Sequence, residues 1–86
     1  MKTILITGSS SGIGKATVKL FQSKGWQVIA TMRNPQKEQE LSHLTNVHCV
    51  ALDVTKKTDI TAIIANCIKM YGSIDAIVNN AGYGLY

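Results

Sequence analysis

The sequence predicts a doubly wound α/β fold: a parallel sheet of four strands in the order 3-2-1-4, with helices on both faces. Three observations lead there. Short runs rich in β-branched residues alternate with longer stretches of helical spacing, the pattern of consecutive βαβ units. The later runs, "VHCVAL" at 47–52 and "IDAIV" at 74–78, are nearly continuous in apolar residues, as strands covered on both faces are. The loop "GSSSGIG" at 8–14 joins the first run to the first helical stretch, where such folds bind anions.

In chain order, Thr3 to Thr7 is a short β-rich strand. Apolar residues then recur at Ile13, Ala16, Leu20 and Phe21, which is helical spacing, and Gly25 closes that helix. "WQVIATM" at 26–32 is the second strand. Asn34 and Pro35 supply an N-cap and a first-turn proline for a short polar second helix. After the third strand at 47–52, Thr58 is placed to cap a third helix with the apolar face Ile60, Ile63, Ile64, Cys67 and Ile68. Gly72 ends it, and the fourth strand follows at 74–78. The first two helices are expected on one sheet face and the third on the other.

Composition narrows the function classes. The chain has 86 residues and a formal net charge of +4. The basic residues are scattered, with no aromatic-interleaved stripe, which argues against a nucleic-acid partner. No apolar run is long enough for a membrane span or a signal-peptide core, so a cytoplasmic protein is expected. Cys49 and Cys67 have no CxxC or Cys/His spacing, and His43 and His48 flank no ligand cluster. A metal site is not expected, and the thiols read as small hydrophobes in a reducing compartment.

The glycine loop fits one phosphate-binding pattern and fails another. A triphosphatase loop would need glycine at residue 9 and a hydroxyl at residue 16; the chain has Ser9 and Ala16. A dinucleotide loop needs glycines for a tight turn, close backbone approach and helix-on-strand packing, and Gly8, Gly12 and Gly14 supply them. The second strand ends in "TMRNP". Met32 stands where an acidic residue would bind a ribose 2′-hydroxyl, Arg33 follows it, and no carboxylate appears until Glu38. An arginine there suits a 2′-phosphate, a charged contact that yields roughly 10- to 150-fold preference for the phosphorylated cofactor. "NNAG" at 79–82 ends the fourth strand and, in this strand order, faces the same crevice.

Together, "TGSSSGIG" at 7–14, "LDV" at 52–54 and "NNAG" at 79–82 resemble the short-chain dehydrogenase/reductase family, over essentially the whole chain. The resemblance implies a Rossmann-type domain that favours NADP(H) over NAD(H), with cofactor-binding roles for twelve residues and a structural role for a thirteenth, Asn79. Gly8, Gly12 and Gly14 would form the pyrophosphate loop, with Ile13 near the nicotinamide half. Ser10, Ser11 and Arg33 would hold the 2′-phosphate. Asp53 would accept from the adenine amino group, and Val54 would pack on the ring. Asn80, Ala81 and Gly82 would line the ribose side, and Asn79 would brace neighbouring strands.

The family's Tyr-x-x-x-Lys pair is missing. Tyr71 has Asp75 four residues on, and Tyr83 and Tyr86 lie too near the last residue. No catalytic residue is assigned. The expectation is therefore a partial NADP-binding domain over 1–86, ending after the fourth strand. It would be half of an oxidoreductase interconverting an alcohol and a ketone or aldehyde by hydride transfer, the small-molecule substrate being bound only by a full-length parent. The alternative is a truncated, non-catalytic nucleotide-binding module. The fourth strand would leave an open edge suited to self-association.

Overall fold

The computed structural model describes residues 1–10, 12–53 and 55–80. Strand β1 spans Thr3–Thr7, helix α1 Gly12–Ser23 and strand β2 Gln27–Met32. Two 3₁₀ turns follow, Pro35–Lys37 and Leu41–His43. Strand β3 is Val47–Ala51, helix α2 Lys57–Tyr71 and strand β4 Ala76–Asn79. All pairings are parallel and the sheet order is β3-β2-β1-β4, as the sequence predicts.

Alternation along the strands divides the core. Ile4, Ile6, Val28, Ala30 and Met32 face α1 and the 3₁₀ segment, joined there by Val18 and Leu41. Leu5 and Ile29 face the other way, where Cys67, Ile63, Ile64 and Tyr71 of α2 cover them. β1 and β2 are buried along almost their whole length, while β3 and β4 are more open. β4 is fixed to β1 at both ends. Thr3 N–H donates to Asp75 Oδ2 and Asp75 N–H to Thr3 O, each at 2.8 Å. At the far end Thr7 Oγ1 donates to Asn79 Oδ1 at 2.9 Å, which is the brace expected of Asn79.

Four local expectations need correction. First, α1 buries Gly14 and Val18, with Phe21 half-buried, whereas Ile13 and Leu20 are 77% and 51% exposed and Ala16 is exposed. The contact of Gly14 with the end of β1 sets the helix rotation, so the inner face starts one residue later than the apolar spacing from Ile13 suggests. Second, the polar helix after Asn34 is broken into the two 3₁₀ turns. Glu38 is extended (φ −86°, ψ 118°) and its carboxylate accepts the N–H groups of Glu40 and Leu41, both at 2.9 Å. Those bonds stop one turn, start the next and seat Leu41 fully in the core. Asn34 occupies the N-cap position but makes no side-chain cap bond. Third, Thr58 lies inside α2, not at its cap. Lys56 is the N-cap residue, and its carbonyl receives Asp59 N–H at 3.1 Å. Fourth, Ile68 is 47% exposed and Tyr71 takes the inner position instead.

Candidate functional site

A parallel sheet brings the ends of its strands to one edge. Here that edge collects Gly8 after β1, Arg33 after β2, Leu52 and Asp53 after β3 and Asn80 after β4. A cleft of about 750 Å³ opens along it. Gly8, Ser10, Lys15, Thr31 and Met32 line one part, and Arg33 to Leu52 the rest through Lys37, Glu38 and Glu40.

The floor of the site is a backbone contact. Gly8 and Gly12 have φ values of 62° and 60°, the left-handed region that a glycine enters without penalty. Their turn lays the Gly8 carbonyl on α1, where a Cβ at Gly14 would sit 1.9 Å from Gly8 O and 2.8 Å from Gly8 C. Only a hydrogen fits there, so the first turn of α1 approaches the end of β1 as closely as backbone allows. The amides of that first turn have no intrahelical acceptors, and the helix dipole adds partial positive charge.

Ser9 locks this geometry from below. It is fully buried, donates its hydroxyl to Ile6 O at 2.8 Å, and gives its N–H to Thr31 O at 3.1 Å. Thr31 Oγ1 also donates to Ile6 O, at 3.1 Å, so β1, β2 and the glycine loop are stitched at one point. Sequence reasoning missed both residues. For Ser9 the signal was a hydroxyl three residues beyond a strand carbonyl, a spacing at which serine commonly bonds back to the main chain. Thr31 reaches the same carbonyl from the neighbouring strand, and no local spacing marks it.

The roof comes from the segment after β2. Arg33 is exposed at the cleft wall. Asp53 stands past β3 with Oδ1 accepting both the N–H (3.0 Å) and the hydroxyl (2.6 Å) of Thr55. Those two bonds, aided by the nearby charges of Arg33 and Lys56, hold its carboxyl below the usual carboxylate range. Glu38 is also held low, first by the Leu41 N–H and then by Lys15, against its own burial. Lys15 reaches across from α1 to Glu38 Oε1 at 3.2 Å and Glu40 Oε1 at 3.4 Å, which raises its own pKa. Lys19 pairs with Glu40 Oε2. Lys15 and Glu38 were not singled out from sequence, because the partners lie on separate elements.

Of the twelve expected site residues, Gly8, Ser10 and Arg33 meet in the cleft. Gly14 lies beneath it, Gly12 and Ile13 are exposed at the start of α1, and Asp53 is close enough to feel the charge of Arg33. Asn80 follows β4, and its Nδ2 is buried without a hydrogen-bond partner among the described residues. Ser11, Val54, Ala81 and Gly82 lie outside the described residues. Among the described residues no cluster of His, Cys, Asp and Glu could hold a metal ion, and no helix is long and apolar enough to cross a membrane.

The family profile described as short chain dehydrogenase matches residues 2–85. The chain belongs to the short-chain dehydrogenase family. Serine 3-dehydrogenase from Rhizobium radiobacter is 40% identical over 85 residues, covering 96% of this chain and 34% of that protein. An uncharacterized oxidoreductase from Staphylococcus haemolyticus is 37% identical over 84 residues, 94% of this chain and 36% of that one. Among solved structures, a short-chain dehydrogenase from Streptomyces avermitilis superposes with a TM-score of 0.87 at 35% identity, covering 94% of this chain and 31% of that one. ElxO with NADP bound gives 0.85 at 37% identity, covering 94% and 35%. The chain thus spans about a third of the length of the curated relatives it matches, at 36%, 31% and 34%. Its Rossmann-type topology is the fold of this family, seen over the first four strands.

Proposed function

We propose that this chain is the NADP(H)-binding half of an oxidoreductase that interconverts an alcohol and a ketone or aldehyde. The observation that carries the reading is Arg33, at the wall of the same cleft as Gly8 and Ser10, with Met32 in place of an acid at the end of β2. The residues fit the cofactor: a turn that admits no Cβ at Gly14, first-turn amides beside it, and an Asn80 amide at the same sheet edge that has no hydrogen-bond partner among the described residues. ElxO, similar over 94% of the chain, was solved with NADP bound and supports the phosphorylated form.

In this reading Gly8, Gly12 and Gly14 let the pyrophosphate lie against main-chain amides, and Ile13 borders the nicotinamide half. Ser10, Ser11 and Arg33 bind the 2′-phosphate. Asp53 accepts from the adenine amino group while Thr55 fixes its rotamer, and Val54 packs on the ring. Asn80, Ala81 and Gly82 line the ribose. The cofactor, when bound, would supply the hydride donor or acceptor; the 86 residues would hold it, and since they contain no Tyr-x-x-x-Lys no proton-transfer role is given to any of them.

The test is a fluorescence titration. NADPH binds more tightly than NADH, and Arg33→Ala lowers that preference about 10-fold or more. Equal affinity for the two cofactors in the unaltered chain would overturn the NADP reading. Self-association belongs in this reading to a second copy at the outer edge of β4, which pairs only with β1 among the described residues and leaves Ile77 53% exposed. Sedimentation checks it: Ile77→Lys shifts the chain to monomer, and an unchanged dimer in that variant would remove this edge from the interface.

A further inference from the structure

Resting on the NADP(H) reading, we propose that Glu38 is a positioning residue for cofactor selectivity: it straps the segment carrying Arg33 and Lys37 to helix α1 and so holds the 2′-phosphate end of the cleft in shape. Glu38 is the first carboxylate after β2, and its side chain is only 5% exposed. It does three jobs with two oxygens. Oε2 accepts the N–H groups of Glu40 and Leu41, and Oε1 meets Lys15 Nζ at 3.2 Å. Lys15 Nζ also touches Glu40 Oε1 at 3.4 Å, and Lys19 engages the other oxygen of Glu40.

Two struts therefore run from α1, the helix whose start forms the cleft floor, to residues 38 and 40. Leu41, fully buried beside them, anchors the same segment from inside. Arg33 and Lys37 sit upstream of the anchor and downstream of β2, on the stretch the strap spans. Without the strap this stretch must be ordered when a ligand binds, and that cost falls on contacts to the 2′-phosphate. NADH makes no such contact. Strap and selectivity are thereby coupled, while affinity for the parts common to both cofactors is not. The same carboxylate near a bound phosphate could act oppositely, by repulsion, and the two effects have opposite signs on substitution.

The experiment measures Kd for NADPH and NADH with the full chain, with Arg33→Ala, Glu40→Gln, Glu38→Gln, Lys15→Gln and the double variant of the last two, each with a urea midpoint. Glu38→Gln keeps an oxygen for the two N–H groups and sets an amide against Lys15. The expected result is a fall in the NADH-to-NADPH Kd ratio of about 5-fold for each single change, with the double change no worse than the larger single one. Lys15 itself lines the cleft, so a fall with Lys15→Gln counts for the strap only if Glu40→Gln lowers the ratio as well. Glu40→Gln breaks the second strut, keeps the Glu38 cap bonds and removes no cation, so it reads the strap even if Glu38→Gln does not fold. A lowered midpoint with an unchanged ratio, or tighter NADPH binding by Glu38→Gln, overturns the proposal. If the unaltered chain has no preference for NADPH, the NADP reading itself fails. If Arg33→Ala removes a preference that Glu38→Gln and Lys15→Gln retain, only the strap fails.

Discussion

Gly14→Ala is the most informative single change, because two effects of known sign oppose one another. In a helix interior alanine is better than glycine by about 1 kcal/mol. The added methyl, however, would stand 1.9 Å from Gly8 O, 2.8 Å from Gly8 C and 3.1 Å from Ser9 Cα, where ordinary contact begins near 3.4 Å. The gap to Gly8 O has to grow by about 1.5 Å, and every listener to that push is main chain rather than a side chain that can rotate away. Moving the loop pulls Ser9 off Thr31 O and Ile6 O, while moving α1 lifts Val18 from the core. Overpacking of this kind costs about 1–3 kcal/mol or more, and one weakened buried hydrogen bond adds about 1 kcal/mol. The net expectation is destabilisation by about 2 kcal/mol, with the urea midpoint falling by about 1 M. Trp26 is the probe: it is the single tryptophan, edge-on to Phe21 at 5.0 Å between ring centroids, and reports the α1–β2 junction. A variant as stable as the unaltered chain, or more stable, would refute the close-approach argument.

The remaining predictions concern the same region. Ser9→Ala leaves Ile6 O with only the Thr31 hydroxyl bond among the side-chain donors described and lowers stability by about 1–2 kcal/mol in the same denaturation assay. Acid should weaken the fold through Glu38. Its pKa is lowered on folding, so its contribution is present above its ordinary value of 4.5 and is lost as pH falls below that toward the folded value. A stability profile from pH 7 to 3 should therefore drop at the acid end in the unaltered chain and be flatter in Glu38→Gln; parallel profiles would remove Glu38 from the acid response.

The alternation of strands and helices, the two-faced core and the glycine loop were legible in the sequence because each rests on local patterning. The strand order came instead with the resemblance to dinucleotide-binding folds, since which strands pair is not a local property. Alternation in "TILIT" and "QVIATM" fixes which residues face which layer, and a strand–glycine–helix junction leaves few geometries. What the spacing concealed depends on contact between elements. Ile13 and Leu20 read as core because they are apolar at helical spacing, yet the fit of Gly14 against Gly8 rotates them outward. Glu38 read as a distant carboxylate, and nothing nearby in sequence marks it as partner to Lys15, 23 residues upstream. The polar stretch after Pro35 has helix-like residues throughout; a side chain capturing two amides, not a breaker residue, divides it.

The bonds that clamp β4 also set an order of events in time. β1 is made first and is central, with β2 on one side and β4 on the other. Its pairing with β2 begins at Gln27, but its pairing with β4 needs Asp75, 72 residues from Thr3. The longer closure spans three times the chain and adds about 1 kcal/mol of entropy to that step. One side of β1 can thus zip while the opposite side waits for the last strand. In the nascent chain the β1–β2 unit with α1 forms the early structure, and the face later covered by α2, with Leu5 and Ile29, stays wet until the closing segment arrives.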